Sequence, residues 1–331
     1  MEQSFEQAKN LIDNSANILL TMHERMDGDD GGALLAMGHQ LESLNKNVTY
    51  SIKKGVPPNL SFLPKSHKIL DDISEQDNFD LLITFGCSSI ERTGSEKITN
   101  LQSPKPSAYG GQENLKIKVI NIDHHPDNTG FGQVNLVDAA KSSVAELVYD
   151  FFIFHNWEIN KDIATCLLTG IITDTGSFMH ANTQSSTLKA AAELMRKGAQ
   201  VSKIVRQTYK NKSPQILKAW GRALKNAYYD SKNKIIYSVM TENDLAEFSA
   251  LPQAAFEGFV ETLNTVPEAK FAMFLRQDGN IIKGSLRSDT FKNTDVSQIA
   301  RIFGGGGHKL ASGFSVAGKL MKDEMGKWKV A

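Results

Sequence analysis

Short apolar runs alternate with stretches of helical periodicity through the first half of the chain. The runs are rich in aliphatic residues and predict strands at about Asn17–Met22, Val48–Ile52, Leu81–Phe85 and Lys118–Ile122. The periodic stretches predict helices at about Phe5–Asn14, Gly32–Leu44, Ser143–Phe154, Asp162–Ile172 and Ser185–Lys197. Polar residues cluster over Glu91–Asn114, where we expect a loop. This alternation is typical of an α/β fold with a mostly parallel sheet.

The pattern changes after the last of these helices. From Val201 to Lys234 the chain has nine Lys or Arg residues and one acidic residue, Asp230. A solvated connecting helix explains this composition, and so does a basic wall facing an anionic substrate. We therefore predict a first domain over residues 1–195, a helical basic linker over 196–233 and a second domain over 234–331.

The second domain has the pattern of a smaller α+β unit. Its predicted strands lie at Lys234–Met240, Lys270–Arg276 and Asn280–Arg287, and the last two are joined through an Asp278–Gly279 turn. Its predicted helices lie at Asn243–Ser249, Gln253–Asn264 and Asp295–Phe303. A run of four glycines follows, at Gly304–Gly307.

Composition restricts the class of protein further. The 331 residues are 40% hydrophobic and carry 37 basic and 37 acidic side chains, so no global charge points to a polyanionic partner. Two cysteines exclude a disulfide framework and a CxxC metal site. The polar N-terminus does not resemble a signal peptide, and no apolar run reaches about 18 residues. We expect a soluble, cytoplasmic protein without a membrane partner, and the choice between monomer and homodimer stays open.

Carboxylate and imidazole side chains follow the ends of two predicted strands and one helix: His23, Asp27, Asp29, Asp123, His124, His125 and Asp174. Each has an ordinary structural explanation when taken alone, such as a turn or a helix cap. Together they point to a site, because the carboxyl ends of parallel strands meet at one edge of a sheet. Mixed carboxylate and imidazole ligands suit Mn²⁺, and also Fe²⁺, Zn²⁺ or Mg²⁺. Enough ligands are present for two ions that together promote phosphoester hydrolysis.

The glycine run has a logic of its own. Four successive glycines suit neither a helix nor a strand, but they suit a backbone that approaches an anion closely. His308 and Lys309 follow it, and Ser285–Ser288 supplies hydroxyls and the guanidinium of Arg287. A flexible surface loop is the alternative interpretation.

These segments resemble the DHH phosphoesterase family, in the branch that carries the DHH-associated C-terminal domain. The resemblance covers nearly the whole chain. It rests on five segments, although Met26 stands where the family usually has proline: His23–Asp29, Asn121–His125, Gly170–Phe178, Gly284–Ser288 and Gly304–Gly313. It implies a manganese-dependent enzyme that hydrolyses short oligoribonucleotides or nucleoside 3′,5′-bisphosphate (pAp) by attack of a metal-activated hydroxide.

The resemblance also implies roles for individual residues. His23 and Asp27 would hold one manganese ion, and Asp29, His124 and Asp174 would hold the other. Asp123 would steady the site, and His125 would sit near the scissile phosphate and assist the leaving oxygen. The remaining set would bind the terminal phosphate of the substrate: Arg287, Ser288, Gly305, Gly306, Gly307 and His308.

One position departs from the family pattern. In relatives, the strand that corresponds to Leu81–Phe85 ends in an aspartate that bridges both metals, and here Gly86 stands in its place. Cys87, Glu91 or water would be the substitutes for that ligand, and G86D is expected to raise metal affinity and activity. The departure keeps a second hypothesis open, a weakened homologue that binds nucleotides or single-stranded nucleic acid without efficient turnover. A third is an exopolyphosphatase or pyrophosphatase of the same superfamily.

Overall fold

The chain folds into two compact units, Met1–Asn211 and Lys212–Ala331. The structure is a computed structural model, and it describes residues 1–74, 78–101, 117–209, 212–322 and 328–330. None of the helices in these ranges combines the length and the hydrophobicity that a bilayer crossing requires. The predicted linker contains two helices that belong to different units.

The first unit is built on a parallel sheet of five strands in the order β2-β1-β3-β4-β5. The strands are β1 (Asn17–Met22), β2 (Asn47–Ser51), β3 (Leu81–Phe85), β4 (Lys118–Asp123) and β5 (Val134–Val137). The four predicted strands are confirmed to within one residue at each end, and β5 was not predicted. The expected α/β fold with a mostly parallel sheet is therefore confirmed for this unit.

Seven helices surround this sheet among the described residues. They are α1 (Glu2–Asp13), α2 (Gly28–Ser43), α3 (Glu96–Leu101), α4 (Val144–Phe154), α5 (Lys161–Asp174), α6 (Ser185–Arg196) and α7 (Val201–Thr208). The loop expected over 91–114 contains α3 and most of a 3-10 turn at Ile90–Thr93, and its residues 102–114 lie outside the described ranges. The prediction for α2 was wrong at its start, which lies four residues earlier because Asp27 caps the helix.

The core of the first unit lies on both faces of the sheet. In β3, Leu81 and Ile83 pack with α2, α4 and α5, whereas Leu82 packs on the opposite face with Ile90 and Ile98. Helices α2 and α5 are in close contact at Gly32. A Cβ on Gly32 would lie 2.4 Å from the carbonyl oxygen of Cys166, so a larger residue would not fit between the helices. This contact fixes the start of α2 against the end of α5.

The second unit contains a six-stranded sheet in the order β10-β11-β9-β8-β7-β6 and a two-stranded ribbon. The strands are β6 (Ala227–Asp230), β7 (Ile235–Met240), β8 (Phe271–Asp278), β9 (Ile281–Arg287), β10 (Gly306–His308), β11 (Ala311–Ala317), β12 (Leu320–Lys322) and β13 (Trp328–Val330). Its helices are α8 (Pro214–Lys225), α9 (Glu242–Ala246), α10 (Phe259–Leu263) and α11 (Val296–Ile302).

Two predictions for the second unit were wrong. The helix expected over Gln253–Asn264 is a 3-10 turn, Gln253–Phe256, followed by the short α10, because Gly258 between them has a φ of +84°. The glycine run was expected to suit neither a helix nor a strand, but part of it forms a strand. Gly306–His308 forms β10, and a Cβ on Gly305 would lie 2.1 Å from the carbonyl oxygen of Gly313, so glycine is needed there for close strand packing.

Candidate metal centre

The start of α2 brings three carboxylates to the carboxyl edge of the parallel sheet. β1 ends at Met22, and the chain then passes through His23 to Asp27, which has extended backbone angles and accepts a hydrogen bond from the amide of Asp30 (2.9 Å). Asp29 and Asp30 lie in the first turn of the helix, where the helix dipole stabilises negative charge. Capping of α2 therefore concentrates acidic side chains beside His23.

His23, Asp27 and Asp30 form what we call the first ligand group. Nε2 of His23 lies 3.1 Å from Oδ2 of Asp27 and 2.9 Å from Oδ2 of Asp30, and one potential ligand atom from each residue lies within 4.8 Å of the others. Burial alone would lower the pKa of His23, but hydrogen bonds with the two carboxylates outweigh burial and raise the pKa to about 10. The group thus concentrates negative charge around one imidazole.

Asp29, His124 and Asp174 form the second ligand group, and their potential ligand atoms also lie within 4.8 Å of one another. Nε2 of His124 lies 4.0 Å from Oδ2 of Asp29 and 3.8 Å from Oδ2 of Asp174. Burial and then the charges of Asp27 and Asp30 raise the pKa of Asp174 to about 7, so the two groups are close enough to interact electrostatically. All five predicted metal ligands are therefore brought together at this edge.

Asp29 is held in place by a second helix, α4, as well as by its own helix, α2. Its carboxylate accepts hydrogen bonds from the amides of Val144 (2.7 Å) and Ala145 (2.9 Å), which are the first two residues of α4. Asp174 is the last residue of α5 and accepts a hydrogen bond from Nδ2 of Asn182 (3.2 Å). Three helix ends thus position the carboxylates of the second group.

Asp123 and His125 form a hydrogen-bonded pair beside the ligand groups. Oδ1 of the fully buried Asp123 lies 2.7 Å from Nδ1 of His125, and Oδ2 accepts a hydrogen bond from Nδ2 of Asn128 (2.6 Å). Burial alone would lower the pKa of His125, but Asp123 outweighs burial and raises it to about 9. Both oxygens of Asp123 are engaged, as expected of a residue that orients others.

Asp30 is the residue of the centre that the sequence analysis missed. Its carboxylate fills the space beyond Gly86, because a Cβ on Gly86 would lie 1.8 Å from Oδ2 of Asp30. The third acid of the run Asp27-Gly28-Asp29-Asp30 was the available signal, but the predicted helix began after it. The expectation that G86D raises metal affinity stays a prediction, and it requires the Asp30 carboxylate to move, since the new Cβ would lie 1.8 Å from Oδ2 of Asp30 in its present position.

Neither protein side chain considered for the missing ligand is suited to it. Cys87 is fully buried, and burial raises the pKa of its thiol well above the usual value, which disfavours the thiolate that binds metals. Glu91 has an exposed side chain in the 3-10 turn after β3 and belongs to neither ligand group. Asp30 is the carboxylate that faces this space.

The predicted phosphate-binding residues lie on or beside neighbouring strands of the second sheet, where Arg287 of β9 and His308 of β10 are both in register with Ala311 of β11; of this set only Arg287 lines the cavity described next. The guanidinium of Arg287 pairs with Glu261 (2.7 Å) and lines a cavity of about 250 Å³ with Phe256, Phe274 and Arg276. Ser288 is buried and its hydroxyl donates to the carbonyl of Lys270 (2.9 Å). Ser288, His308 and the glycines Gly305, Gly306 and Gly307 do not line this cavity.

The donor set fits divalent cations. Carboxylate oxygens and imidazole nitrogens are the ligands that Mn²⁺ and related ions accept, and each group offers three of them. Oδ1 of Asp30 is buried and has no hydrogen-bond partner in the structure. Because an unpartnered buried carboxylate oxygen is costly, it indicates a missing ligand. Fold and site together define an α/β protein with a candidate two-cation centre at its sheet edge.

Comparisons with known proteins agree with this class. The model for the N-terminal domain of the DHH family matches residues 17–171, and the model for the DHHA1 domain matches residues 232–327. The chain belongs to the DHH phosphoesterase family, in the branch with a C-terminal DHHA1 domain.

Individual relatives are similar over most of the chain. It is 29% identical to the bifunctional oligoribonuclease and PAP phosphatase NrnA of Thermus thermophilus, over 91% of this chain and 84% of that protein. It is 28% identical to the protein of the same name from Bacillus subtilis, over 90% and 89%. The crystal structure of an exopolyphosphatase-related protein from Bacteroides fragilis superposes with a TM-score of 0.85 at 26% identity, covering 95% of this chain and 91% of that one.

Proposed function

We propose that this protein hydrolyses short oligoribonucleotides and pAp in a reaction that depends on divalent cations, with Mn²⁺ preferred. The observation that carries the proposal is the pair of ligand groups at one sheet edge, each with three donors within 4.8 Å. The similarity to two oligoribonuclease and PAP phosphatase relatives over about nine-tenths of the chain supports this substrate class. Short RNA and small nucleotides are therefore the proposed partners.

Each ligand group is proposed to bind one cation. His23 and Asp27 would hold one cation, and Asp29, His124 and Asp174 would hold the other. When bound, a pair of divalent cations activates water for attack on a phosphoester and offsets negative charge on the phosphate oxygens. The chain's own contribution is to keep these ligands fixed at the ends of β1, β4, α2 and α5, so that little reorganisation accompanies the reaction.

His125 is proposed to transfer a proton to the leaving oxygen. Its Nδ1 lies 2.7 Å from Oδ1 of Asp123, so the ring is oriented and Nε2 is the atom that would give the proton. Asn128 fixes the other oxygen of Asp123 (2.6 Å) and completes this support. Asp123 thus acts through His125.

The second unit is proposed to bind the substrate phosphate. Arg287, Ser288, His308 and the glycines Gly305, Gly306 and Gly307 are the residues assigned to this role. The cavity beside Arg287 is also lined by Arg276, whose charge suits phosphate, while Phe256 and Phe274 of its lining are buried in the core of this unit.

Gly86 is the specific observation behind a second candidate, a nucleotide-binding homologue with weak turnover. A glycine there supplies no ligand, and loss of a carboxylate would weaken metal binding. Asp30 offsets this loss, because its carboxylate lies in the same space. We therefore favour the enzyme.

Turnover by the full chain tests the proposal. The protein is incubated with Mn²⁺ and one substrate at a time. The substrates are a labelled RNA dinucleotide, pAp, pyrophosphate and tripolyphosphate. We expect mononucleotide from the dinucleotide and phosphate from pAp, with both reactions abolished by chelation and by D174A. Measurable nucleotide binding without turnover would support the binding homologue instead. Hydrolysis of the inorganic substrates alone would support a polyphosphatase or pyrophosphatase.

A further inference from the structure

We propose that Asp30 is a metal ligand of this protein and supplies from α2 the carboxylate that Gly86 does not supply from β3. The inference rests on the proposed metal-dependent function and extends it to a residue outside the motifs that carry the family resemblance. It makes Asp27, Asp29 and Asp30 three ligands from a single helix start.

The Asp30 carboxylate lies close to the other two residues of the first ligand group. Its Oδ2 lies 2.9 Å from Nε2 of His23, and one of its oxygens lies within 4.8 Å of potential ligand atoms of both His23 and Asp27. The side chain is 3% exposed, so both oxygens are directed into the protein rather than into solvent. Without Asp30, the first group would contain only one imidazole and one carboxylate.

The two oxygens of the Asp30 carboxylate are not both hydrogen-bonded. Oδ1 of Asp30 is buried and accepts no hydrogen bond, whereas both oxygens of the neighbouring Asp29 accept amide hydrogen bonds from α4. Burying a carboxylate oxygen without a partner is costly, so such atoms are uncommon in folded proteins. A cation in the first group would satisfy this oxygen.

Gly86 lies next to the Asp30 carboxylate. This residue follows β3 directly, donates its amide hydrogen bond to the carbonyl of Ile122 (2.9 Å) and has a φ of +59°. A side chain at position 86 would enter the space that the Asp30 carboxylate occupies. The strand end and the helix start are therefore alternative places from which one carboxylate can reach this part of the centre, and the chain uses the helix start.

A simpler role for Asp30 is that of a counter-ion for His23. The two roles differ in what D30N does to the response to Mn²⁺. Both roles allow D30N to change the melting temperature of the metal-free protein, because the contact between His23 and Asp30 is lost in either case. A counter-ion role predicts that Mn²⁺ still raises the melting temperature of D30N as it does that of wild type, whereas a ligand role predicts that this rise is lost.

The experiment measures Mn²⁺ binding by calorimetry and melting temperature by differential scanning fluorimetry on the full chain. The proteins compared are wild type, D30N, D30A, the exchange variant D30A/G86D and the matched control D162N, which changes an exposed aspartate in the first turn of α5. We expect D30N to weaken Mn²⁺ binding at least about 10-fold and to lose the Mn²⁺-induced rise, as losses around metal sites typically do. D162N should match wild type.

The exchange variant keeps the proposal falsifiable if D30N folds poorly. Truncation at position 30 opens the space for a carboxylate at position 86, and aspartate is among the residues that tolerate a positive φ. We expect D30A/G86D to bind Mn²⁺ more tightly than D30A. Wild-type Mn²⁺ affinity in D30N, or equal affinity in D30A and D30A/G86D, overturns the inference.

Failure of the inference is distinguishable from failure of the proposed function. If D30N binds Mn²⁺ normally and wild type still hydrolyses dinucleotide, the inference is wrong and the function stands. If D30N loses Mn²⁺ binding and wild type hydrolyses no nucleotide, the inference stands and the function is wrong.

Discussion

A Cβ placed on Gly86 would lie 1.8 Å from Oδ2 of Asp30, so a side chain at position 86 would require the carboxylate of Asp30 to leave its present position. Gly86 follows a buried strand, and Asp30 lies in the first turn of the helix that follows the neighbouring strand. The negative charge at this part of the sheet edge is thus supplied by the helix rather than by the strand.

Adding an aspartate at position 86 is expected to damage the protein. In G86D the new side chain would meet the Asp30 carboxylate and the residue would keep a φ of +59°, and the two effects together should cost about 2–4 kcal/mol of unfolding free energy. Chemical denaturation measures this cost. G279D is the matched control, because Gly279 has a φ of +57° but no atom within 4 Å of its Cβ position. Equal losses in the two variants would show that Asp30 does not occupy the space beyond Gly86.

Removing the charge of Asp174 is expected to abolish turnover and spare the fold. D174N should lower kcat for a dinucleotide at least about 100-fold, since even changes in residues that support a ligand cost roughly 10–100-fold. Steady-state kinetics with Mn²⁺ measures this loss, and circular dichroism measures the fold. D13N changes the last residue of α1, an exposed ion-pair partner of Lys9, and should leave kcat unchanged. A D174N enzyme with wild-type turnover would remove Asp174 from the centre.

Asn128 is expected to act as a positioning residue. N128A removes the 2.6 Å hydrogen bond to Oδ2 of Asp123 and so loosens the support of His125. We expect kcat to fall about 10-fold and the pH profile of kcat to shift, with KM and Mn²⁺ affinity little changed. Kinetics from pH 6 to pH 10 and Mn²⁺ calorimetry measure these quantities. A loss of Mn²⁺ affinity with an unchanged pH profile would instead assign Asn128 to the metal site.

Glu42 should make the stability of the first unit depend on acid pH. Burial alone would raise its pKa, but hydrogen bonds from Lys65 (2.6 Å), Tyr50 (2.8 Å) and Lys68 (3.1 Å) outweigh burial and lower the pKa to about 2. Because the unfolded chain binds a proton at higher pH than the folded protein, the stabilisation is complete above about pH 4.5 and is lost as the pH falls toward 2.

E42Q tests this dependence. It should lower the free energy of unfolding by about 1–2 kcal/mol at pH 7, after allowance for solvent screening, and the difference from wild type should shrink steadily below about pH 4. Urea denaturation at several pH values measures it, with the exposed E6Q as control. A difference that stays constant from pH 7 to pH 3 would show that the charge of Glu42 does not cause the stabilisation.

Hydrophobic pattern was sufficient to predict four of the five parallel strands and to place His23 and His124 after strand ends at one edge. Buried strands such as Leu81–Phe85 have a run of apolar residues that little else imitates. The start of α2 was missed because glycine and aspartate favour turns, and only the capping geometry of Asp27 shows that they begin a helix. The role of Asp30 could not be predicted, since it depends on a space that an unrelated part of the chain leaves at Gly86. The strand at Gly306–His308 was missed because glycines suggest a loop, whereas Gly307 and the preceding Gly305 are required by the close packing of β11.

Counting bound manganese tests the account's central claim most directly. Metal-free full-length protein is dialysed to equilibrium against Mn²⁺, and the ions per chain are measured by atomic emission for wild type, D30A and D174A. The two ligand groups predict two ions per wild-type chain and a reduced number in each variant, with the nucleotide hydrolysis of wild type rising as the ions bind. Wild-type protein that binds no Mn²⁺, or variants that bind as many ions as wild type, would contradict the account.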